Sequence, residues 1–350
     1  MTTALATIFV LGVLIFFHEL GHFLVAKRAG IKVHQFSLGF PPLILKKKWG
    51  ETEYCIGLIP LGGFVRMAGE NPDDDMTGAP NEFMSKNVGV RAAVVAAGPI
   101  MNLILAWLIL WGLFFFEGEP YSSNVIAQVG ENTPAEMAGL LPGDKIIAVN
   151  DETISDYETM TAAISKYLEK PLNVVWMRDD QEMSASITTI TDTVYNETGD
   201  KVPVGMIGIG VQVEYLNVGF FDAVGKGFMR SVGFVRMVVE FVYNLVTGKI
   251  SPKMIGGPVF IAQLAGETAQ VGFSVLLYFM ALLSVNLAVL NIMPIPVLDG
   301  GHLVFLAIEK IKGSPLSMNQ RSIAQQVGLV FLLLVIVLVT YNDIVRFISG

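Results

Sequence analysis

Four long apolar segments constrain the fold of this chain more than any other feature. They cover roughly residues 4–26, 90–116, 273–293 and 323–341, and each is long enough to cross a hydrocarbon core of about 30 Å as a helix. The composition agrees, with 53% hydrophobic residues, 15% charged residues and a mean hydropathy of +0.57. The sequence therefore predicts a polytopic α-helical membrane protein with about four transmembrane helices. The first segment lacks the basic start of a cleavable signal peptide.

The first apolar segment contains the motif His18-Glu19-Leu20-Gly21-His22. Residues i and i+4 share one face of a helix, so His18 and His22 can present imidazole nitrogens to one Zn²⁺, with Glu19 as general base on a bound water. Residues 4–26 hold no other ionisable side chain, and ionisable groups at membrane depth are costly and functional by default. The motif predicts hydrolysis of peptide bonds within the bilayer. The alternative is a buried cluster with a structural role.

A catalytic zinc usually takes three protein ligands, so one more ligand is expected elsewhere. Residues 291–302, at the end of the third apolar segment, carry two prolines that interrupt a helix and adjacent glycines that permit close backbone approach. Asp299 is the anionic oxygen donor of this stretch. Asp299 precedes Lys310 by about as many positions as His18 precedes Lys27. The His18–Lys27 interval corresponds to about 14 Å of helix. His302 is the competing ligand, with a supporting or helix-capping role as its alternative.

The charges predict an orientation. Basic residues, including Lys46, Lys47 and Lys48, follow the first apolar segment, so its end is expected on the cytoplasmic side. The second segment then leads outward to residues 117–215, which hold 17 acidic and five basic side chains. This acidic module is predicted to be extracytoplasmic. Residues 220–255 are basic and would also lie outside, as an amphipathic helix at the interface. No clustered basic face indicates nucleic-acid binding.

Two short apolar stretches follow the first apolar segment. Residues 53–60 and 63–67 flank Gly62 and Gly63 and are too short to span a membrane as helices. A protease cuts extended chains, whereas a transmembrane substrate is helical. These stretches are predicted to form a hairpin whose edge takes up an extended substrate by strand addition. The alternative is an ordinary cytoplasmic hairpin. The acidic triplet at residues 73–75 is interpreted as a solvated turn.

The acidic module has the pattern of a small α+β domain. Strands are predicted at residues 125–129, 145–149, 172–177, 183–190 and 204–213, with a helix at 159–168. Residues 138–147 resemble the glycine-rich turn and strand of a PDZ domain in the permuted form of bacterial proteases. PDZ domains bind peptides by strand addition and hold a terminal carboxylate through backbone amides. A generic small β domain is the alternative.

Three motifs, taken in order, resemble the site-2 protease family: His18–His22, Gly98-Pro99-Ile100-Met101-Asn102, and residues 291–301. The resemblance covers nearly the whole chain and is to the bacterial branch that includes the regulator of sigma-E protease, in a form with one PDZ domain. It implies Zn²⁺ held by His18, His22 and Asp299, Glu19 as base, and a membrane-dipping β element. It also implies that Asn286 and Asn291 hold the substrate backbone. Helix–helix hydrogen bonding is the alternative for these two amides.

The expected function is intramembrane zinc endopeptidase activity on single-span membrane proteins, after another protease has trimmed their external part. The resemblance suggests anti-sigma factors or signal-peptide remnants as substrates, in the bilayer of the bacterial cytoplasmic (inner) membrane. The alternative is a non-enzymatic membrane scaffold built on the PDZ-like domain. The expected segments are a first transmembrane helix (1–30), a β region (31–89), a second helix (90–117), the PDZ-like domain (118–215), an interfacial region (216–272), a third helix (273–304), and a cytoplasmic loop with the fourth helix (305–350).

Overall fold

The computed structural model describes residues 2–70, 77–195 and 201–349; the acidic triplet at 73–75 lies outside these ranges. The helices are α1 (Thr2–Arg28), α2 (Val88–Phe116), α3 (Pro134–Met137), α4 (Tyr157–Ser165), α5 (Phe220–Val246), α6 (Pro258–Val271), α7 (Phe273–Ile292), α8 (Asp299–Lys312) and α9 (Met318–Ser349). The strands are β1 (Val33–Trp49), β2 (Thr52–Met67), β3 (Glu119–Val129), β4 (Lys145–Val149), β5 (Glu152–Thr153), β6 (Pro171–Arg178), β7 (Gln181–Thr188), β8 (Ile190–Tyr195), β9 (Lys201–Met206) and β10 (Ile209–Leu216).

Four helices match the predicted membrane segments. α1, α2, α7 and residues 319–345 of α9 are long and apolar enough to cross a bilayer, which confirms the prediction of a membrane protein with about four spans. α7 ends at Ile292, and the chain turns through Pro294 and Pro296 before α8 begins at Asp299. The turn is so tight that a side chain at Gly300 or Gly301 would overlap main-chain atoms of residues 292–296.

The chain divides into two compact units, of which one comprises residues 1–113, 224–245 and 251–350. Its core joins α1, α2, α6 and α7 through buried apolar side chains such as Val10, Leu105 and Met280.

α9 is attached to this membrane unit through Asp343, which is only 4% exposed. Its carboxylate accepts hydrogen bonds from the main-chain N–H groups of Gly257, Val259 and Phe260, at 2.9, 3.1 and 3.0 Å. These groups belong to the start of α6, where a helix leaves its first N–H groups without internal partners and favours an anion.

β1 and β2 form a sheet in which each long strand folds back on itself. Leu38 pairs with both Ile56 and Gly63, so residues 33–40 lie between two parts of β2, and residues 43–49 pair with 52–57 on the far side. The segment 63–67 is consequently an outer edge, paired on one side with 33–38. The sequence predicted that 53–60 and 63–67 form a hairpin with each other; this was wrong, because both lie in β2 and pair with β1. The sequence missed β1, because Pro41, Pro42 and three lysines interrupt its apolar pattern.

The second unit, residues 114–223 and 246–250, is a β domain. Its main sheet has the order β10-β3-β4-β6-β7, with β5 beside β4 and a separate β8–β9 hairpin. Fully buried Ile126, Ile146 and Trp176 anchor the core, and α4 starts with a capping box between Asp156 and Thr159. Two of the predicted strands, 183–190 and 204–213, are each divided between two observed strands.

The predicted amphipathic region after the β domain contains one long helix, α5. Phe234 and Val238 are buried along one face, whereas Phe228, Val232 and Val239 are about half exposed on another. Apolar side chains thus occupy more than one side of the helix.

Candidate active site

Two elements bring the predicted metal ligands together. His18 and His22 lie one turn apart on α1, and Asp299 is the first residue of α8. Asp299 Oδ2 lies 3.2 Å from His18 Nε2 and 3.6 Å from His22 Nε2, and the two Nε2 atoms are 3.3 Å apart. His302 does not belong to this group of converging ligand atoms. The arrangement favours Asp299 over His302 as third ligand.

Close packing of α1 on α2 shapes this cluster. A side chain at Gly21 would overlap the main-chain oxygen of Ala97, and a methyl group at Gly98 would lie 2.7 Å from His22 Cε1 and 2.8 Å from His18 Cε1. Ordinary van der Waals contact begins at 3.4 Å. The absence of side chains at these two positions therefore lets the backbone of α2 press against both imidazole rings.

α2 also provides hydrogen-bond partners for the outer nitrogens of the rings. His22 Nδ1 lies 2.9 Å from the main-chain oxygen of Val94, and His18 Nδ1 lies 3.3 Å from Nδ2 of Asn102. Sequence analysis assigned neither Val94 nor Asn102 a role. Asn102 carried a usable signal, because it is the single amide or ionisable side chain in residues 92–116.

The donor set fits a zinc ion. Three ligand atoms around a tetrahedral zinc, at bonds of about 2.05 Å, lie about 3.3 Å apart, close to the three distances observed here. Oδ2 of Asp299 is buried and makes no hydrogen bond to the described residues, which is the state expected of an oxygen that faces a cation. Two imidazoles and one carboxylate leave the fourth position for water or substrate.

A cavity of about 880 Å³ opens beside the three predicted ligands. Glu19 and His302 line it, as does Gly63 from the outer segment of β2. A side chain at Gly63 would come within 3.0 Å of Glu19 Cγ, so the sheet edge passes directly beside the predicted base.

The other predicted substrate-binding residues lie elsewhere. Gly62 packs against the ring of Phe40. Asn286 and Asn291 are half-buried on α7, outside the cavity lining, and their side chains form no hydrogen bond with the described part of the chain.

A buried ion cluster lies beside the cavity, which two of its members, Arg91 and Arg321, line. Glu309 of α8 pairs with Arg91 at the start of α2, and Nη2 of Arg321 in α9 lies 3.6 Å from the same carboxylate. Arg91 and Glu309 are 4% and 8% exposed. Sequence analysis missed this cluster, because its partners are 218 residues apart and carry no local pattern.

Comparison with known proteins identifies the type of site. The family model for peptidase family M50 matches residues 6–335, which include all three predicted ligands and Glu19. The chain therefore belongs to peptidase family M50, the site-2 proteases. As the sequence predicted, it is a zinc metalloendopeptidase.

Curated relatives are similar over nearly their full length. A putative zinc metalloprotease of Rhizobium meliloti is 35% identical, with 96% of this chain and 95% of the relative aligned. The regulator of sigma-W protease of Bacillus subtilis is 33% identical, with 99% of both chains aligned.

The arrangement defines what each side chain can do. Zinc, when bound, supplies a Lewis acid that brings the pKa of a coordinated water to about 7. His18, His22 and Asp299 would hold it. Glu19 stands beside them in the cavity, where its carboxylate can take a proton from the attacking water and deliver it to the departing amine.

Proposed function

We propose that this chain cleaves single-span membrane proteins within the bilayer, after their external part has been trimmed. The observation that carries the proposal is the position of His18 and His22 in the middle of a helix long enough to span a membrane. His18 precedes the end of α1 at Arg28 by ten residues, or about 15 Å at helical rise. The proposed ligands are His18, His22 and Asp299, with Glu19 as base.

Substrate uptake is proposed at the outer segment of β2. Residues 63–67 pair on one side with 33–38 and find no second strand partner among the described residues, and four of them line the cavity. Strand addition at this edge would replace the hydrogen bonds that a substrate helix loses on unwinding. It would also carry the scissile carbonyl past Glu19. Gly62, Asn286 and Asn291 are proposed to help hold the substrate backbone.

The β domain is proposed to act as a PDZ-like module on the extracytoplasmic side. β10 is the end strand of the main sheet, bonded to β3, and so offers an edge to a peptide. The basic residues after α1 support a cytoplasmic position for that end of α1 in a bacterial inner membrane, from which α2 would lead outward. The chain is a zinc metalloendopeptidase, which argues against the alternative of a non-enzymatic scaffold. The proposed role of the β domain is therefore to select substrates.

The proposed substrates are anti-sigma factors or signal-peptide remnants. The Bacillus relative is named a regulator of sigma-W protease, which agrees with the first class. Both classes present one apolar helix to the bilayer, and neither brings a large folded domain to the external side once trimmed.

The test is cleavage of a tagged single-span substrate by the full-length protein in detergent. Wild type, Glu19→Gln and the control Glu240→Gln, an exposed carboxylate on α5, would each be assayed with and without a zinc chelator. We expect cleavage by wild type and control, loss on chelation, and no cleavage by Glu19→Gln. Mass spectrometry should place the cut inside the apolar segment, and an untrimmed substrate with a folded external domain should resist cleavage. A cut outside the apolar segment, or activity in Glu19→Gln, would contradict the proposal.

A further inference from the structure

The two histidines of the proposed zinc site differ in what holds their outer nitrogens. His22 Nδ1 faces the main-chain oxygen of Val94, which can only accept a hydrogen bond. His22 must therefore carry its hydrogen on Nδ1, and Nε2 keeps a lone pair directed at the ligand cluster. His22 is thus pre-set as a ligand by the backbone of α2.

His18 has a side-chain amide in the equivalent place. Asn102 is completely buried, and its Nδ2 lies 3.3 Å from His18 Nδ1. Its Oδ1 is also buried and makes no hydrogen bond to the described residues. An amide has one donor end and one acceptor end of nearly the same shape, so a half-turn about the last side-chain bond exchanges them.

The two amide orientations favour opposite tautomers of His18. If Nδ2 of Asn102 faces the ring, His18 Nδ1 accepts the hydrogen bond and the ring hydrogen sits on Nε2. His18 Nε2 then has no free lone pair for zinc. With Oδ1 toward the ring, Nδ1 donates and Nε2 is free to bind zinc. A metal-bound histidine almost always donates its other N–H to an acceptor, and the unused oxygen of Asn102 is within reach.

We propose that Asn102 is a positioning residue that accepts the Nδ1 hydrogen of His18 and thereby fixes the tautomer and ring plane needed for zinc binding. A separate contact holds the backbone of Asn102: fully buried Ser284 of α7 donates a hydrogen bond to the main-chain oxygen of Asn102 at 2.8 Å. Asn102 therefore does not need its side chain to attach α2 to α7. The inference rests on the proposed role of His18 as a ligand.

The experiment compares zinc dissociation constants of the full-length protein in detergent, measured by competition with a chromophoric chelator. Asn102→Leu keeps the volume and removes the acceptor, Asn102→Asp keeps an acceptor in the same place, and Ser284→Ala perturbs the backbone contact alone. We expect Asn102→Leu to weaken zinc binding about 10- to 100-fold, whereas Asn102→Asp binds at least as tightly as wild type. Ser284→Ala should lower the thermal midpoint and leave zinc affinity unchanged.

A second measurement on the same variants reports on the metal ligands directly. In the cobalt-substituted protein, the visible absorption bands depend on coordination geometry. Wild type and Asn102→Asp should show the same spectrum, and Asn102→Leu an altered one. If the leucine variant does not fold, the aspartate variant decides, because a purely structural amide predicts weaker binding when a buried carboxylate replaces it.

Three outcomes would overturn the inference, and the first two distinguish a wrong ligand set from a wrong role for Asn102. If His18→Ala retains wild-type zinc affinity, the proposed ligand set is wrong and the role of Asn102 is rejected with it. If His18→Ala loses zinc but Asn102→Leu does not, the ligand set stands and only the role of Asn102 is rejected. Equal weakening in the leucine and aspartate variants would also reject it.

Discussion

Gly98 offers a sharp test of how closely α2 must approach the histidines. In Gly98→Ala, the added methyl would lie 2.7 Å from His22 Cε1 and 2.8 Å from His18 Cε1, where ordinary contact begins at 3.4 Å. These separations fall 0.7 and 0.6 Å short of ordinary contact, and His22 Nε2 would lie closer still, so the rings and the helix must move apart. Zinc–ligand distances tolerate only about 0.2 Å, so the substitution should displace both imidazoles beyond the binding range.

We expect Gly98→Ala to weaken zinc binding at least about tenfold, which corresponds to about 1.4 kcal/mol. Chelator competition on the purified full-length protein measures this quantity, and metal content after gel filtration provides a second measure. The matched control is Gly112→Ala on the same helix, where an added methyl has nothing within 4 Å and should leave zinc affinity unchanged. Wild-type affinity in Gly98→Ala would refute the packing argument.

The remaining predictions concern the cavity, the ion cluster, the metal and the β domain. Gly63→Val should raise KM for a single-span substrate and leave zinc affinity unchanged, because the new Cβ would lie 2.8 Å from the main-chain oxygen of Ser37 and 3.0 Å from Glu19 Cγ and so displace the sheet edge; a loss of zinc instead would contradict this. Glu309→Ala leaves buried Arg91 without its partner and should cost about 3–5 kcal/mol of unfolding free energy, whereas Glu240→Ala, from an exposed pair with Arg236, should cost about 0.5 kcal/mol or less. Removal of zinc should lower the thermal midpoint, since an ion present at 100 times its dissociation constant adds about 2.7 kcal/mol; an unchanged midpoint would argue against a bound metal in the folded state. Burial raises the pKa of Asp144, but hydrogen bonds from Arg178 and the Leu141 N–H outweigh this and hold the pKa below its ordinary 3.8. Because the folded-state pKa is lowered, this stabilisation is present above about pH 4 and is lost as the pH falls through the folded-state pKa; hydrogen exchange of residues 119–216 in the full-length protein should rise there, and Asp144→Asn should remove the dependence.

Local patterns account for the part of the fold that the sequence predicted. A span is defined by consecutive apolar residues, and the His18–His22 spacing is defined by one helical turn, so both could be predicted without knowledge of distant contacts. Asp299 was selected as a candidate because few residue types can bind zinc and prolines mark the end of a helix, and the structure brings it to His18 and His22.

Features that depend on distant contacts escaped sequence analysis. The strand β1 is interrupted by prolines and lysines and is recognisable only through its pairing with β2. The ion pair of Arg91 and Glu309 joins residues 218 positions apart. The orientation of Asn102 toward His18 depends on how α1 and α2 pack, which the pattern of either helix alone does not specify.

Asp343 makes the start of α6 depend on α9 for its hydrogen bonds. The N–H groups it caps, at the start of α6, are translated up to 86 residues earlier than Asp343 itself. Without α9 those groups lack this acceptor, and a buried N–H group without a partner costs free energy. α6 packs directly on α1, which carries the predicted ligands His18 and His22. The packing of α6 on α1 is therefore coupled to the docking of α9, through a contact between residues up to 86 positions apart.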